Sequence, residues 1–428
     1  MTPYVITFVV MVGVFMIGCF ALKLPVGVSM LAAALCGALE GGLGTETIRM
    51  MVEGEFGYVD TILTIGCAMI FMKVIEESGA LDALSSLIIE KFHRFPAVLL
   101  ILIMLIIMFP GMITGSSTAA VLSAGSIMAP VLALMGIDAV TAGSIIAMGA
   151  LLGMIAPPVN TAALIICAGI DVPYVGFEGP LALITFPLAI LFVLMLGYKQ
   201  ARHMDYEKLK PALEKQDAVR KQFGARIYLP LLVLVALMIV FKVLKLGEDI
   251  GMPLMFLISA AVGLFTGKKI NVLTAVPAAI RTAAPVMGIL MGVGMFIEVM
   301  TATGVRGLIV ISCLRLPSAL WLLACAISIP LFGAVSSYGA CSVLGVPFAY
   351  IYASLLGGNS VVVLAAISLI AAVGDMMPPT ALAGLFAAQV TGVKQYTQIL
   401  KRCIVPIIIL LVYASFFLAN SKLIAGLF

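Results

Sequence analysis

Charge is scarce in this chain: Asp, Glu, Lys and Arg make up 10% of its 428 residues, beside two histidines and one tryptophan. A soluble domain carries about 25% charged residues. So small a share excludes a soluble enzyme, a nucleic-acid binder and a disordered protein. The two histidines, His93 and His203, lie in basic segments and leave little material for histidine-based metal or proton chemistry. The eight cysteines (19, 36, 67, 167, 313, 325, 341, 403) form no C-x-x-C pair and read as soft packing residues. The first apolar stretch, 4–22, lacks a basic leader and a small-residue cleavage site, so it reads as a membrane helix and not a removable signal. No nucleotide-binding motif is present, which leaves ATP without an obvious place.

What the chain has instead is apolar material. Hydrophobic residues make up 63% and the mean hydropathy is +1.24. At about 20 residues per crossing, this suffices for roughly ten to twelve membrane-embedded segments. Apolar runs fall near 4–22, 25–42, 59–76, 95–113, 119–135, 139–169 and 179–198, and again near 227–246, 252–267, 284–301, 317–335, 341–357, 359–393 and 398–420. The hydrophilic segment between the two sets, 199–226, holds eight Lys/Arg against four Asp/Glu and is expected in the cytoplasm. From that anchor, Lys23, Lys91, Arg94, Lys268, Lys269, Lys394, Lys401 and Arg402 thread to the same side, and both termini to the other.

The halves repeat at an offset near 221 residues. Pro110 to Ser117 aligns with Pro330 to Ser337, and Gly153-Met-Ile-Ala-Pro157-Pro158 with Gly374-Asp-Met-Met-Pro378-Pro379. Because the halves begin on opposite sides of the membrane, the expected architecture is an inverted repeat, the plan of many secondary transporters. The domains are then 1–198, a cytoplasmic linker 199–226, and 227–428. The expected fold is all-α and polytopic, with two re-entrant helical hairpins and two broken helices.

Each motif carries a physical consequence. Gly115-Ser116-Ser117-Thr118 and Ser336-Ser337 read as hairpin tips, which leave carbonyls, amides and hydroxyls without helical partners. Such backbone survives at membrane depth only inside protein or beside a wet cavity. Close packing by small residues is the competing explanation. Paired prolines remove a donor and clash with the preceding turn, so each pair interrupts its helix. Gly153 four positions earlier adds flexibility, and Asn160, Thr161 and Thr380 follow the breaks. Asp375 stands deep in an apolar span, where an acid is functional by default. Ser117, Asn160, Ser337 and Asp375 are the candidate Na⁺ ligands, and no cofactor is expected. Glu76, Glu77 and Glu298 read as span-end charges, snorkelling or paired with Lys73.

At these motifs the chain resembles the large membrane subunit of tripartite ATP-independent periplasmic (TRAP) transporters. ITGSSTAAVLSAGSIMAPVLALMGIDAVTAGSIIAMGALLGMIAPP (113–158) carries the resemblance, with MMPPTALAGLFAAQVTG (376–392). The second half departs from the family pattern, reading SSYGACS (336–342) and PPTALAG (378–384). The resemblance implies the ion transporter superfamily fold and a transport domain that moves elevator-fashion. It implies a Na⁺-coupled importer of small, dicarboxylate-like organic acid anions in a bacterial inner membrane. Its partners would be a small membrane subunit, a periplasmic substrate-binding protein and the lipid bilayer, with no nucleic acid. The alternatives are a stand-alone symporter for citrate, gluconate or C4-dicarboxylates and, from other classes, an intramembrane enzyme or a passive channel.

Overall fold

The computed structural model describes residues 2–202, 218–243, 251–378 and 381–428, and among these every regular element is helical. The first half runs α1 (Thr2–Met16), α2 (Val26–Glu40), α3 (Thr47–Phe56), α4 (Val59–Ser78), α5 (Ala80–Phe92), α6 (Pro96–Thr114), α7 (Ser117–Leu134), α8 (Ala139–Ile155), α9 (Thr161–Gly169) and α10 (Glu178–Ala201). The second runs α11 (Leu229–Val243), α12 (Met252–Thr266), α13 (Val272–Ala302), α14 (Val305–Leu314), α15 (Ser318–Gly333), α16 (337–355), α17 (Ser360–Met376), α18 (Leu382–Thr391), α19 (Tyr396–Ala419) and α20 (Ser421–Ala425). Seven of the described helices are long and apolar enough to cross a membrane on their own. The chain is a polytopic membrane protein.

One expectation needs correction, and one gap between apolar runs is filled. Between the runs at 25–42 and 59–76 the chain is helical too: Gly44–Phe56 and Val59–Ser78 form one path bent by 45°. The run at 284–301 is only the end of a 31-residue helix that starts at Val272 and carries Pro277 and Pro285. Its first turns carry Pro277, Arg281 and two threonines among the apolar residues, so a run read from hydropathy starts the element too late. Asn271 supplies the cap, accepting from Leu273 N at 3.1 Å.

The helices pack as two bundles. One, here the frame, joins α1–α4 to α12 and α13, with α11 against α12. The other, here the hairpin bundle, joins α6–α10 to α15–α19. Both bundles therefore draw on both halves of the chain. At the centre of the hairpin bundle, α8 is buried from Thr141 through Ile155 and α17 from Val362 through Met376. Burial on every side puts both helices inside the bundle and away from lipid, where an all-round apolar surface alone would fit either place. Asp138 starts α8 by accepting from Thr141 N at 3.0 Å, and Asn359 starts α17 by accepting from Val362 N at 3.1 Å.

Candidate functional site

The first hairpin turns where its sequence makes a turn cheapest. Gly115 adopts φ +62°, a left-handed backbone that glycine enters without steric penalty, and a side chain there would run into the Thr161 hydroxyl. Ser116 is extended, and its Oγ accepts from Ala119 N at 3.3 Å to cap α7. In the second hairpin Ser336 does the same for α16, accepting from Gly339 N at 3.2 Å. Each capped arm then passes through a widened π-helical turn, Val121–Gly125 and Cys341–Gly345.

Both broken helices come against these hairpins through glycine. A Cβ at Gly153 would lie 2.5 Å from the Met108 carbonyl oxygen, and one at Gly374 only 2.6 Å from Gly333 Cα. The glycines of the two motifs thus permit backbone-to-backbone contact. In the first half the interrupted segment holds a cis Pro157–Pro158 bond, and Val159 N donates to the Met112 carbonyl at 3.1 Å. Asn160 then caps α9 through Ala163 N at 2.9 Å and donates from its amide to Ser368 Oγ at 2.8 Å. In the second half Asp375 lies in the last, tightened turn of α17, and Ala381 precedes α18 at φ +37° with no side-chain cap. Pro378 is exposed, and Pro379 and Thr380 lie outside the described residues.

These elements bring two hairpin tips and one acid together. Ser117 Oγ donates to Asp375 Oδ2, and Ser337 is a second hydroxyl partner of the same carboxylate. Asp375 is only 6% exposed. Beside it opens a cavity of about 420 Å³ between the bundles. The hairpin bundle contributes Ser116, Ser117, Thr118, Ser336, Ser337 and Asp375 to the wall, and the frame contributes Lys73, Glu76 and Thr282 with an apolar surface including Met72 and Ile289. Gly115, Gly153, Pro157, Pro158, Asn160 and Thr161 lie behind this wall, not in it. Thr161 Oγ1 is fully buried and has no hydrogen-bond partner.

Several contributors escape a reading of the motifs. Tyr174 ties the interrupted segment down, donating to the Pro158 carbonyl at 3.1 Å and accepting from Asn160 N at 3.2 Å. Nothing in its loop sequence announces that role. Glu76 reads as a span-end charge and Lys73 only as its partner, yet both face the cavity; an ionisable residue inside an apolar run was the available signal. As expected, Lys73 pairs with Glu76 at 3.2 Å and Glu77 at 3.5 Å. Tyr58 crosses from frame to hairpin bundle, its hydroxyl donating to the Ile165 carbonyl at 3.0 Å.

Comparisons with known proteins agree with this architecture. The family model for the DctM component of the tripartite ATP-independent periplasmic transporter matches residues 12–421. Among solved structures, the YdaH transporter of Alcanivorax borkumensis, whose report describes an unusual topology, superposes with a TM-score of 0.60. It is 15% identical, over 88% of each chain, so the likeness concerns the fold alone. No curated protein matches in sequence.

Proposed function

The chain belongs to the DctM component family of tripartite ATP-independent periplasmic transporters, and from that premise we propose that it imports a small organic acid anion by Na⁺ symport. It acts with a small membrane subunit and a periplasmic binding protein, in a bacterial inner membrane. The family is one of transporter components and not of enzymes.

The observation that carries the reading is the junction of Ser117, Ser337 and Asp375, where the tips of two hairpins share one buried carboxylate. Hydroxyls, freed carbonyls and a carboxylate are hard oxygen donors, the kind that replaces the hydration shell of a small cation. Asn160 and the unpartnered Thr161 hydroxyl extend the same donor chemistry behind the first tip. Charge points the same way. Among the described residues, the cavity wall holds one cation, Lys73, against Glu76 and Asp375, a formal balance of −1. An anion entering alone meets net repulsion, and two like charges 4 Å apart cost about 4 kcal/mol at an effective dielectric of 20. Cations that enter with it reverse the sign, which makes binding of the two species interdependent.

The two-bundle arrangement supports an elevator. In this reading the hairpins are re-entrant, the hairpin bundle is the moving body and the frame is static. Repeat-related serine caps and glycine crossings support the inverted repeat. Proteoliposomes holding the chain with its partner subunits test the coupling. Uptake should collapse when Na⁺ is replaced by choline; uptake that survives the replacement overturns Na⁺ symport.

A further inference from the structure

We infer that Lys73 is the fixed anchor for the carboxylate of the transported anion, and that the site selects a monocarboxylate whose remaining polar groups are uncharged. The inference rests on the proposed transport of organic acids and names the substrate class of that same cavity.

Among the described residues lining the cavity, Lys73 is the sole cation. It stands on the frame side, across from the hairpin tips, with its side chain 28% exposed. Its ammonium is held in place by Glu76 and Glu77, three and four residues along α4. Exposed pairs of that kind on one helix are weak, worth a few tenths of a kcal/mol. An ammonium has three donors, so an incoming carboxylate can take one without dismantling the pairing.

The opposite wall has a different character. There the substrate meets the hydroxyls of Ser116, Ser117, Thr118, Ser336 and Ser337, together with the Asp375 carboxylate. Hydroxyls bind alcohols and amides as donor or acceptor, whereas a second substrate carboxylate would face Asp375. The repeat does not restore the balance: Lys73 plus the 221-residue offset falls on Gly294, which packs against Gly54 and Tyr58 instead of facing the cavity. The site thus holds its one described cation on the frame, paired there with Glu76 and Glu77, and faces it with a hydroxyl-rich, acidic surface on the hairpins.

Gluconate, succinate and the neutral gluconamide serve as probes on the full chain in nanodiscs, with Lys73 modification by an amine-reactive reagent read by mass spectrometry. Gluconate should protect Lys73 at a concentration several-fold lower than succinate, and gluconamide should not protect it. Equal protection by the amide, protection first by succinate, or none by either acid overturns the anchor. In uptake assays Lys73→Gln should raise KM for gluconate roughly 10- to 100-fold, the worth of a charge-assisted hydrogen bond, and Lys73→Arg should recover most of the loss. A purely structural role for Lys73 would lower protein yield in both variants and leave KM unchanged, which also overturns the anchor. The two readings separate cleanly. Protection that ignores Na⁺ sinks the symport reading and leaves the anchor standing, while Na⁺-driven uptake with unchanged KM in Lys73→Gln does the reverse.

Discussion

The two halves of the chain build the same frame for a site and then furnish it differently. Ser116 and Ser336 cap equivalent hairpin arms, Asp138 and Asn359 cap equivalent central helices, and Gly153 and Gly374 make equivalent close crossings. The chemistry beside those shared devices is unequal. Behind the first tip stand neutral donors, Asn160 and Thr161, with the interrupted segment clasped by Tyr174. The second half brings a charge, Asp375, and leaves Ala381 strained and uncapped where the first half has Asn160. Geometry is held in common by the repeat, whereas the buried acid and the unpartnered hydroxyl stand where the two halves differ.

That contrast can be broken by experiment, starting from the charge. Asp375→Asn should weaken Na⁺ dependence of uptake by about 100-fold, the loss of charged hydrogen-bonding at a buried centre. A Na⁺ activation curve that does not move would return Asp375 to a structural role. Next comes the shared geometry. Gly153→Ala and Gly374→Ala each force a Cβ against backbone and should destabilise the protein by about 1–3 kcal/mol, by similar amounts, in denaturant titrations. A large effect from one and none from the other would show that the two crossings are not equivalent.

Thr161→Val probes the neutral side. Its hydroxyl has no partner in the fold, so the isosteric change should leave thermal stability without Na⁺ unchanged. The stabilisation gained on adding Na⁺ should shrink. Lower stability without the ion would mean that the hydroxyl serves the fold and not a ligand.

The smallest effect concerns pH. Burial pushes the Asp138 carboxyl up, but hydrogen bonds from Thr141 N–H and the Gln200 amide outweigh it and hold the group below the ordinary aspartate range. A depressed folded value means that the contribution is present above the unfolded value, about 3.9, and lost as pH falls through the folded one. Its counterpart Asn359 does not titrate. Asp138→Asn should therefore flatten the acid limb of the stability profile slightly, whereas Asn359→Asp should steepen it.

Much of this was legible in the residues. The offset near 221 brought out both serine tips and both proline pairs, because a hairpin tip and a helix break need special residue types at fixed places. What stayed hidden depends on three-dimensional neighbours. Nothing local to Gly153 or Gly374 says that another backbone lies within a Cβ of it. Nothing in the loop at Tyr174 names the Pro158 carbonyl as its partner. Lys73 entered the reading only as a partner for acids on its own helix, and only the packing of α4 opposite the tips turns it toward the cavity. Helix α3 lies outside the apolar runs because Arg49 and Glu53, with Glu46 just before the helix, form an exposed ladder of ion pairs that lowers the hydropathy of a segment that nevertheless packs on α13.

The central claim, that two tips from opposite halves form one cation site around Asp375, is tested most directly by a double-mutant cycle on ²²Na⁺ binding. Ser117→Ala, Ser337→Ala and the double variant are compared with the parent protein. Hydroxyls that share one carboxylate should couple by about 0.5–3 kcal/mol, so the double variant should depart clearly from the sum of the singles. Strictly additive losses, or no loss in either single variant, would contradict a shared site.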